Sequence, residues 1–388
     1  MLLDELEDSL SYRIYNEVFE LKQKGEDVVS LAIGETSFDT PKEIVRAALG
    51  SLERGETHYT ASFGIPEVRE AIADKVRWKN GIKAEVENTI FLSTKLSVFL
   101  SIAATAGDGS DVLIPDPGYF YHDPSLLAGA RPVWYRLAPD FALDLEEIKR
   151  TATAATKAVV LNTPSNPTGM VADRSSLEEL YRFCRERKIR IISDEAYEDL
   201  VYGKEHFSVG SLEERPDLVV SLFSLSKSYA MTGWRAGYAA AAPSIIGLMN
   251  RYVENTLSCF PAFIQVASAF ALRKGGKFPG RFRDELAKRK RIIEEEMDRI
   301  PGLEYRKVDG AFYSFPSYGS TMDSNSFCRQ LLGEQKLALL PGSLFGPSGE
   351  GRVRITFSEP PEKIVAGMAR LRTFMREHDK ARMVQRAT

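Results

Sequence analysis

Apolar residues fall along this chain in short runs separated by amphipathic stretches. TIFLS (89–93), DVLIPD (111–116), PVWYRL (132–137), AVVLN (158–162), RIISD (190–194) and LVVSLFS (218–224) read as strands. The last three are nearly continuous apolar runs, the pattern of strands buried on both faces of a parallel sheet. Between the runs, KLSVFLSIAATA (95–106) and SSLEELYRFCRERK (175–188) read as helices. This alternation predicts an α/β fold, a mostly parallel sheet with helices on both sides. Further on the pattern changes. GKFPGRFRDELAKRKRIIEEEMDRI predicts a long charged helix broken near its start. GAFYSFPSY, a helical SNSFCRQLLGEQK, GRVRITFS and a final helix follow. That order predicts a smaller α+β domain. The expected division is 42–275 for the large domain, and 1–41 with 276–388 for the small one. A small domain drawn from both chain ends places a ligand cleft between two bodies.

Composition removes several classes. The 388 residues include 51 Lys+Arg and 54 Asp+Glu, giving a net charge of −3. That balance argues against a nucleic-acid-binding surface over the whole molecule, while leaving room for a small basic pocket. Cys184, Cys259 and Cys328 are odd in number and form no CxxC pair, so neither a disulfide framework nor a zinc site is expected. Four histidines make a His-rich metal site improbable. The N-terminal MLLDELEDSLSYRIYNEV has no basic region followed by an apolar run, so it does not read as a signal peptide. The longest apolar stretch, AGYAAAAPSIIGLMN, is short and interrupted by Pro243, so no bilayer span is expected. A soluble, cytoplasmic protein is the expectation.

Chemistry concentrates where strands end. Ser224-Leu-Ser-Lys227-Ser-Tyr-Ala-Met-Thr-Gly-Trp-Arg235-Ala-Gly follows the run LVVSLF. Lys227 thus sits just past a buried strand, where open α/β sheets bind ligands. A lysine held in a cleft can lose its proton and attack a carbonyl. Ser224 and Arg235 flank it and can together hold a phosphate. Ser193-Asp194-Glu195-Ala-Tyr197 ends another run, and Asn162-Thr-Pro-Ser-Asn166-Pro-Thr-Gly169 forms a rigid turn after a third. On its own the first reads better as a helix cap, and the second as an ordinary turn as readily as a functional one. Ser93-Thr94-Lys95 opens a helix, whose N-terminal N–H groups suit a phosphate. Pro115-Asp-Pro-Gly-Tyr119-Phe120-Tyr121 offers aromatic faces. Arg354 lies in the apolar strand-like GRVRITFS and needs an anionic partner, unless it forms a surface pair with Arg352.

In order and content these motifs resemble the fold-type I pyridoxal-5′-phosphate (PLP) enzymes, and within them the class I/II aminotransferases of aspartate aminotransferase type. The resemblance runs from Leu31 to Ser358. It implies a large domain built on a seven-stranded-type sheet. It also implies a Schiff base between Lys227 and PLP, with Lys227 moving the substrate's α-proton. Asp194 is implied as the partner of the ring nitrogen, Tyr197 and Asn166 as partners of the ring hydroxyl oxygen, and Tyr119 as a stacking face. Ser93, Thr94, Lys95, Ser224 and Arg235 are implied to surround the phosphate, and Tyr59 to reach it from the neighbouring subunit of a homodimer. Arg354 is implied to clamp the substrate carboxylate, near Asn166 and the backbone of Gly34. Phe120 and Tyr121 read as core packing.

The implied reaction moves an amino group from an L-amino acid to a 2-oxo acid in ping-pong order, with aspartate or aromatic substrates. These motifs hold the cofactor without choosing the bond broken, so a PLP-dependent C–S β-lyase is the rival reading. A PLP-fold regulator would need an added DNA-binding domain, for which the short N-terminus leaves no room. A nucleotide-binding protein would need a GxGxxG or GxxxxGK[ST] loop after a strand, and none is present.

Overall fold

Alternate residues of the central strands bury against different cores, and this fixes the architecture. Val112 and Ile114 join one apolar cluster, and Leu113, between them, joins another. Ala158 and Val160 separate from Val159 and Leu161 in the same way. Side chains alternate across a strand, so a run apolar at every position needs cover on both faces.

The computed structural model describes residues 10–387 apart from Asp108. Residues 1–9, which include most of the acidic N-terminal stretch, lie outside the described residues, as does 388 at the end of the expected small domain. The elements run α1 (Leu10–Gln23), β1 (Val29–Ser30), α2 (Lys42–Glu53), α3 (Pro66–Trp78), β2 (Thr89–Leu92), α4 (Thr94–Thr105), β3 (Asp111–Asp116), α5 (His122–Leu127), β4 (Arg131–Arg136), α6 (Leu145–Thr151), β5 (Thr156–Asn162), α7 (Arg174–Arg187), β6 (Arg190–Asp194), β7 (Val219–Ser224), α8 (Leu225–Ser228), β8 (Gly237–Ala240), α9 (Pro243–Thr256), α10 (Ala262–Lys274), α11 (Lys277–Met297), β9 (Tyr313–Ser314), α12 (Ser324–Gln335), β10 (Leu337–Ala338), β11 (Leu340–Pro341), β12 (Val353–Thr356) and α13 (Pro361–Ala387).

Seven strands form one sheet in the order β2-β8-β7-β6-β5-β3-β4. Only β8 opposes its neighbours; the other six run the same way. Helices α2, α3, α9 and α10 contribute apolar residues to the cluster on one face. Helices α6 and α7 cover the other through Ile148, Leu177, Leu180 and Cys184. The strand β8 is not legible in AGYAAAA because alanine has little strand preference. It forms because its partners β2 and β7 demand a neighbour between them.

A second apolar cluster gathers α11, α12, α13 and a three-stranded sheet, β11-β12-β9. Strand β1 pairs in parallel with β10, Val29 opposite Leu337, so the N-terminal segment joins this body. The expected break in the charged helix does not occur. Helix α11 is continuous because Pro279 falls in its first turn, where the missing N–H costs nothing. Among the described residues, no helix is long and apolar enough to cross a membrane.

Candidate active site

Six parallel strands deliver their C-terminal ends to one edge of the sheet. That edge receives Thr94 after β2, Tyr119 after β3, Asn162 and Asn166 after β5, Asp194 at the end of β6, and Lys227 after β7. The reversed strand β8 begins there, two residues after Arg235. All of these residues line one cavity of about 470 Å³, which Gly34, Tyr197, Ser224, Tyr313 and Arg354 also line.

Lys227 lies in the four-residue helix α8. Ser224 caps that helix, its Oγ accepting from Ser226 N at 3.2 Å, which leaves the hydroxyl hydrogen free to donate elsewhere. Lys227 Nζ donates to the Gly34 carbonyl at 2.5 Å. Burial pulls the Lys227 ammonium down to about 8; the charges of Glu35 and Asp194 oppose this, and those of Arg354 and Arg235 assist it.

Asp194 is buried at the end of β6. Its Oδ2 accepts from Tyr121 Oη at 2.8 Å, and its Oδ1 from Ala196 N at 3.2 Å. Burial nonetheless raises its carboxyl to about 6. Tyr121 read as core packing in the sequence; it is indeed fully buried, yet its hydroxyl orients Asp194. Asn162 donates to the Asp194 carbonyl at 3.1 Å and accepts from Asn166 N at 2.8 Å. Tyr197 and Tyr313 share a hydroxyl contact at 2.8 Å.

Arg354 is buried and, among the described residues, forms no ion pair with a carboxylate. It donates to Asn166 Oδ1 at 3.0 Å and to the Ala32 carbonyl at 2.5 Å, and its guanidinium carbon lies 4.4 Å from the Tyr313 ring centroid. Among the described residues its Nε has no hydrogen-bond partner. A buried cation with an orphaned donor, lining a cavity, is ready for an anionic ligand. Arg352 turns elsewhere, over the Phe141 ring, so the two do not form a surface pair.

Two residues expected at the site stand apart from the lining. Ser93 is the N-cap of α4, with no side-chain cap bond, so the first N–H groups of that helix remain available. Tyr59 is 90 % exposed. The residues that sequence reasoning missed are Tyr121, which orients Asp194 from behind the lining, and Asn162, Tyr313, and Tyr12 and Tyr15 of α1, which line the cavity. Asn162 pairs in register with Asp194 across β5 and β6, and no single-sequence signal reports register between parallel strands.

This donor set fits pyridoxal phosphate. The uncapped N-terminus of α4, Ser224 and Arg235 suit a phosphate dianion. The Lys227 amine suits an aldehyde, and the Asp194 carboxylate a cationic ring nitrogen. Gly237 leaves room for the backbone here, since a Cβ at that position would lie 2.6 Å from Thr94 Oγ1 and 2.7 Å from the Phe223 carbonyl. Fold and site together define a fold-type I PLP-dependent enzyme.

Comparison with known proteins narrows the class. The family model for aminotransferase class I and II matches residues 26–371. An aspartate aminotransferase of Pyrococcus abyssi is 37% identical over 369 residues, covering 93% of this chain and 95% of that protein. Aromatic-amino-acid aminotransferase 2 of Thermococcus litoralis is 36% identical over the same shares of each chain. The solved structure of Thermus thermophilus aspartate aminotransferase with maleate superposes with a TM-score of 0.91 at 31% identity, covering 96% of this chain and 98% of that one. The chain belongs to the class I and II aminotransferases, and it is a PLP-dependent enzyme that transfers amino groups between amino acids and 2-oxo acids.

The raised Asp194 carboxyl makes a prediction for the cofactor-free protein. The folded state holds this proton more tightly than the unfolded one, so stability falls as pH rises from about 4 to 6. Asp194→Asn removes that loss. Cofactor-free Asp194→Asn is expected to melt about 2–5 °C above wild type at pH 8, with the gap closing toward pH 4. Calorimetry across that range checks it, and a gap independent of pH would contradict it.

Proposed function

We propose that Lys227, Asp194 and Arg354 are the working core of the site and that its amino donors are aspartate-type and aromatic amino acids. The observation that carries the assignment is that one cavity is lined by a half-buried amine, a buried carboxylate and a buried guanidinium with one N–H left unpaired among the described residues.

When bound, PLP supplies an electron sink for the charge left at the substrate α-carbon. Ser93, Thr94 and Lys95, through the N-terminal N–H groups of α4, would hold the phosphate with Ser224 and Arg235. Tyr119 would offer a stacking face. Asp194, oriented by Tyr121, would keep a positive ring nitrogen paired. Tyr197 and Asn166 would serve the ring hydroxyl oxygen. Arg354, with Asn166 and the backbone of Gly34, holds the substrate carboxylate by parallel hydrogen bonds. That clamp fixes the α-hydrogen within reach of Lys227. The lowered amine pKa leaves Lys227 neutral for part of the time near neutral pH, so it can take the α-proton and return it. Two half-reactions in ping-pong order exchange an amino acid for a 2-oxo acid.

Substrate choice rests on the outer wall. Tyr12, Ile14, Tyr15 and Val18 of α1, with Phe120 and Leu340, give it an apolar and aromatic face. Lys95 is the one cation of the lining with no ion pair or hydrogen bond among the described residues, and its Nζ lies 5.5 Å from the Tyr12 ring centroid. A lysine beside an aromatic ring can meet a distal carboxylate or lie along a ring. The names of the relatives, aspartate and aromatic aminotransferases, support both substrate types.

Tyr59, almost wholly exposed here, supports a homodimer in which it reaches the neighbouring site. The two-body division at 42–275, with 1–41 and 276–388 as the second body, suits a site at their junction. A cytoplasmic location fits the three free cysteines.

Lys227→Ala is expected to lower kcat at least about 1,000-fold in a 2-oxoglutarate-coupled assay; near-normal turnover would sink the assignment. Release of pyruvate and ammonia without any 2-oxo acid would favour elimination instead. Lys95→Met is expected to cost dicarboxylic donors about tenfold in kcat/KM while sparing phenylalanine. An equal loss for both donors would remove Lys95 from substrate selection.

A further inference from the structure

Outside the cavity lining lies a buried polar network that the reaction does not use. Lys75 of α3 is buried and pairs with Glu198, and it also donates to Asn80 Oδ1 at 2.8 Å. Asn80 in turn donates to Glu198 Oε2 at 2.7 Å and to Ser208 Oγ at 2.8 Å. Lys79, four residues on at the C-cap of α3, pairs with Asp199 and lies 3.4 Å from Glu198. The other oxygen of Asp199 accepts from Ser228 Oγ at 2.5 Å. Thus α3 is tied to the segment 194–199, and that segment to the residue after Lys227.

The last link matters most because α8 cannot hold itself. A helix of four residues gains one i→i+4 bond, here Tyr229 N to the Leu225 carbonyl at 3.0 Å, for the cost of fixing a whole turn. Its N-terminal end is fastened by the Ser224 cap. Its C-terminal end is fastened by Ser228, which is 2 % exposed and whose hydroxyl is spent on Asp199. Bonds from a hydroxyl to a carboxylate are short and strong. Asp199 lies five residues after Asp194 and two after Tyr197. One hydrogen bond therefore spans the two loops that carry the amine and the carboxylate, and Lys79 balances the charge at its centre.

We propose that Asp199 is a positioning residue that, through Ser228, sets the place of the Lys227 amine relative to Asp194. The proposal rests on the assignment of Lys227 as the cofactor lysine. Neither Asp199 nor Ser228 lines the cavity, so their effect is indirect. The groups that set the charge around Lys227 are Glu35, Arg354, Arg235 and Asp194, and a shift of α8 changes its distance to each.

The test uses the PLP-loaded enzyme with Ser228→Ala, Ser228→Thr and Asp199→Asn. A misplacement of about 1 Å at a reacting group costs up to about a hundredfold, so Ser228→Ala is expected to lower kcat by about ten- to a hundredfold while KM changes far less. The pH midpoint of the bound cofactor's visible absorbance is expected to move in the same variant. Ser228→Thr keeps the hydroxyl and is expected to restore both. Asp199→Asn keeps an acceptor oxygen but not the charge, and is expected to fall between. Wild-type kcat and midpoint in Ser228→Ala would overturn the proposal. So would a Ser228→Thr enzyme as impaired as Ser228→Ala, because the hydroxyl would then not be the cause. If Lys227→Ala kept the wild-type absorbance, the cofactor lysine itself would be misassigned, a failure distinct from either of these.

Discussion

Six strands of the central sheet run the same way, so six loops leave it at the same edge. This constraint organises the rest. Parallel strands need crossovers, crossovers need helices on both faces, and both faces of each strand are then buried. The polar residues at the ends of those strands have nowhere to go but the common edge. There they line one cavity together. Arg354 arrives from a different sheet, on β12, and closes the cavity against Asn166 and the backbone of Ala32.

The site carries a standing electrostatic load. It brings a half-buried amine, a buried carboxylate and a buried guanidinium into one cavity, each at a cost in desolvation. The consequence is visible in two groups, with Lys227 pulled down to about 8 and Asp194 pushed up to about 6. Both shifts disfavour the charged form, as burial must. An anionic phosphate, a cationic ring and a carboxylate substrate would each bring an opposite charge to a charged group of the lining. The load is therefore a preparation for ligand, and the unpartnered Nε of Arg354 is one sign of it. Other buried charges, such as Lys75 with Glu198, are already paired and stiffen the floor instead.

Much of this was legible in the chain. The run RIISD and the strand Arg190–Asp194 coincide, and DVLIPD coincides with Asp111–Asp116, because β-branched runs bounded by polar residues have one solution in a buried sheet. Lys227, Asp194 and Arg354 could be picked out because a charged residue at the end of, or inside, an apolar run demands a reason. What could not be read was anything that depends on two distant elements at once. The strand β8 exists through its partners. Tyr121 looks like any core tyrosine until β3 and β6 are placed in the same sheet and its hydroxyl reaches Asp194. Asn162 looks like a turn residue until its register with Asp194 is known. Proline at 279 suggested a broken helix, but whether a proline breaks a helix depends on where the helix begins.

The central claim is that the amine of Lys227 is the group that carries the cofactor. Borohydride reduction of the PLP-loaded enzyme, followed by digestion and peptide mass spectrometry, tests it most directly. The account predicts a single pyridoxyl-phosphate adduct on the peptide that contains Ser226-Lys227-Ser228. An adduct on another lysine, with Lys227 unmodified, would contradict it.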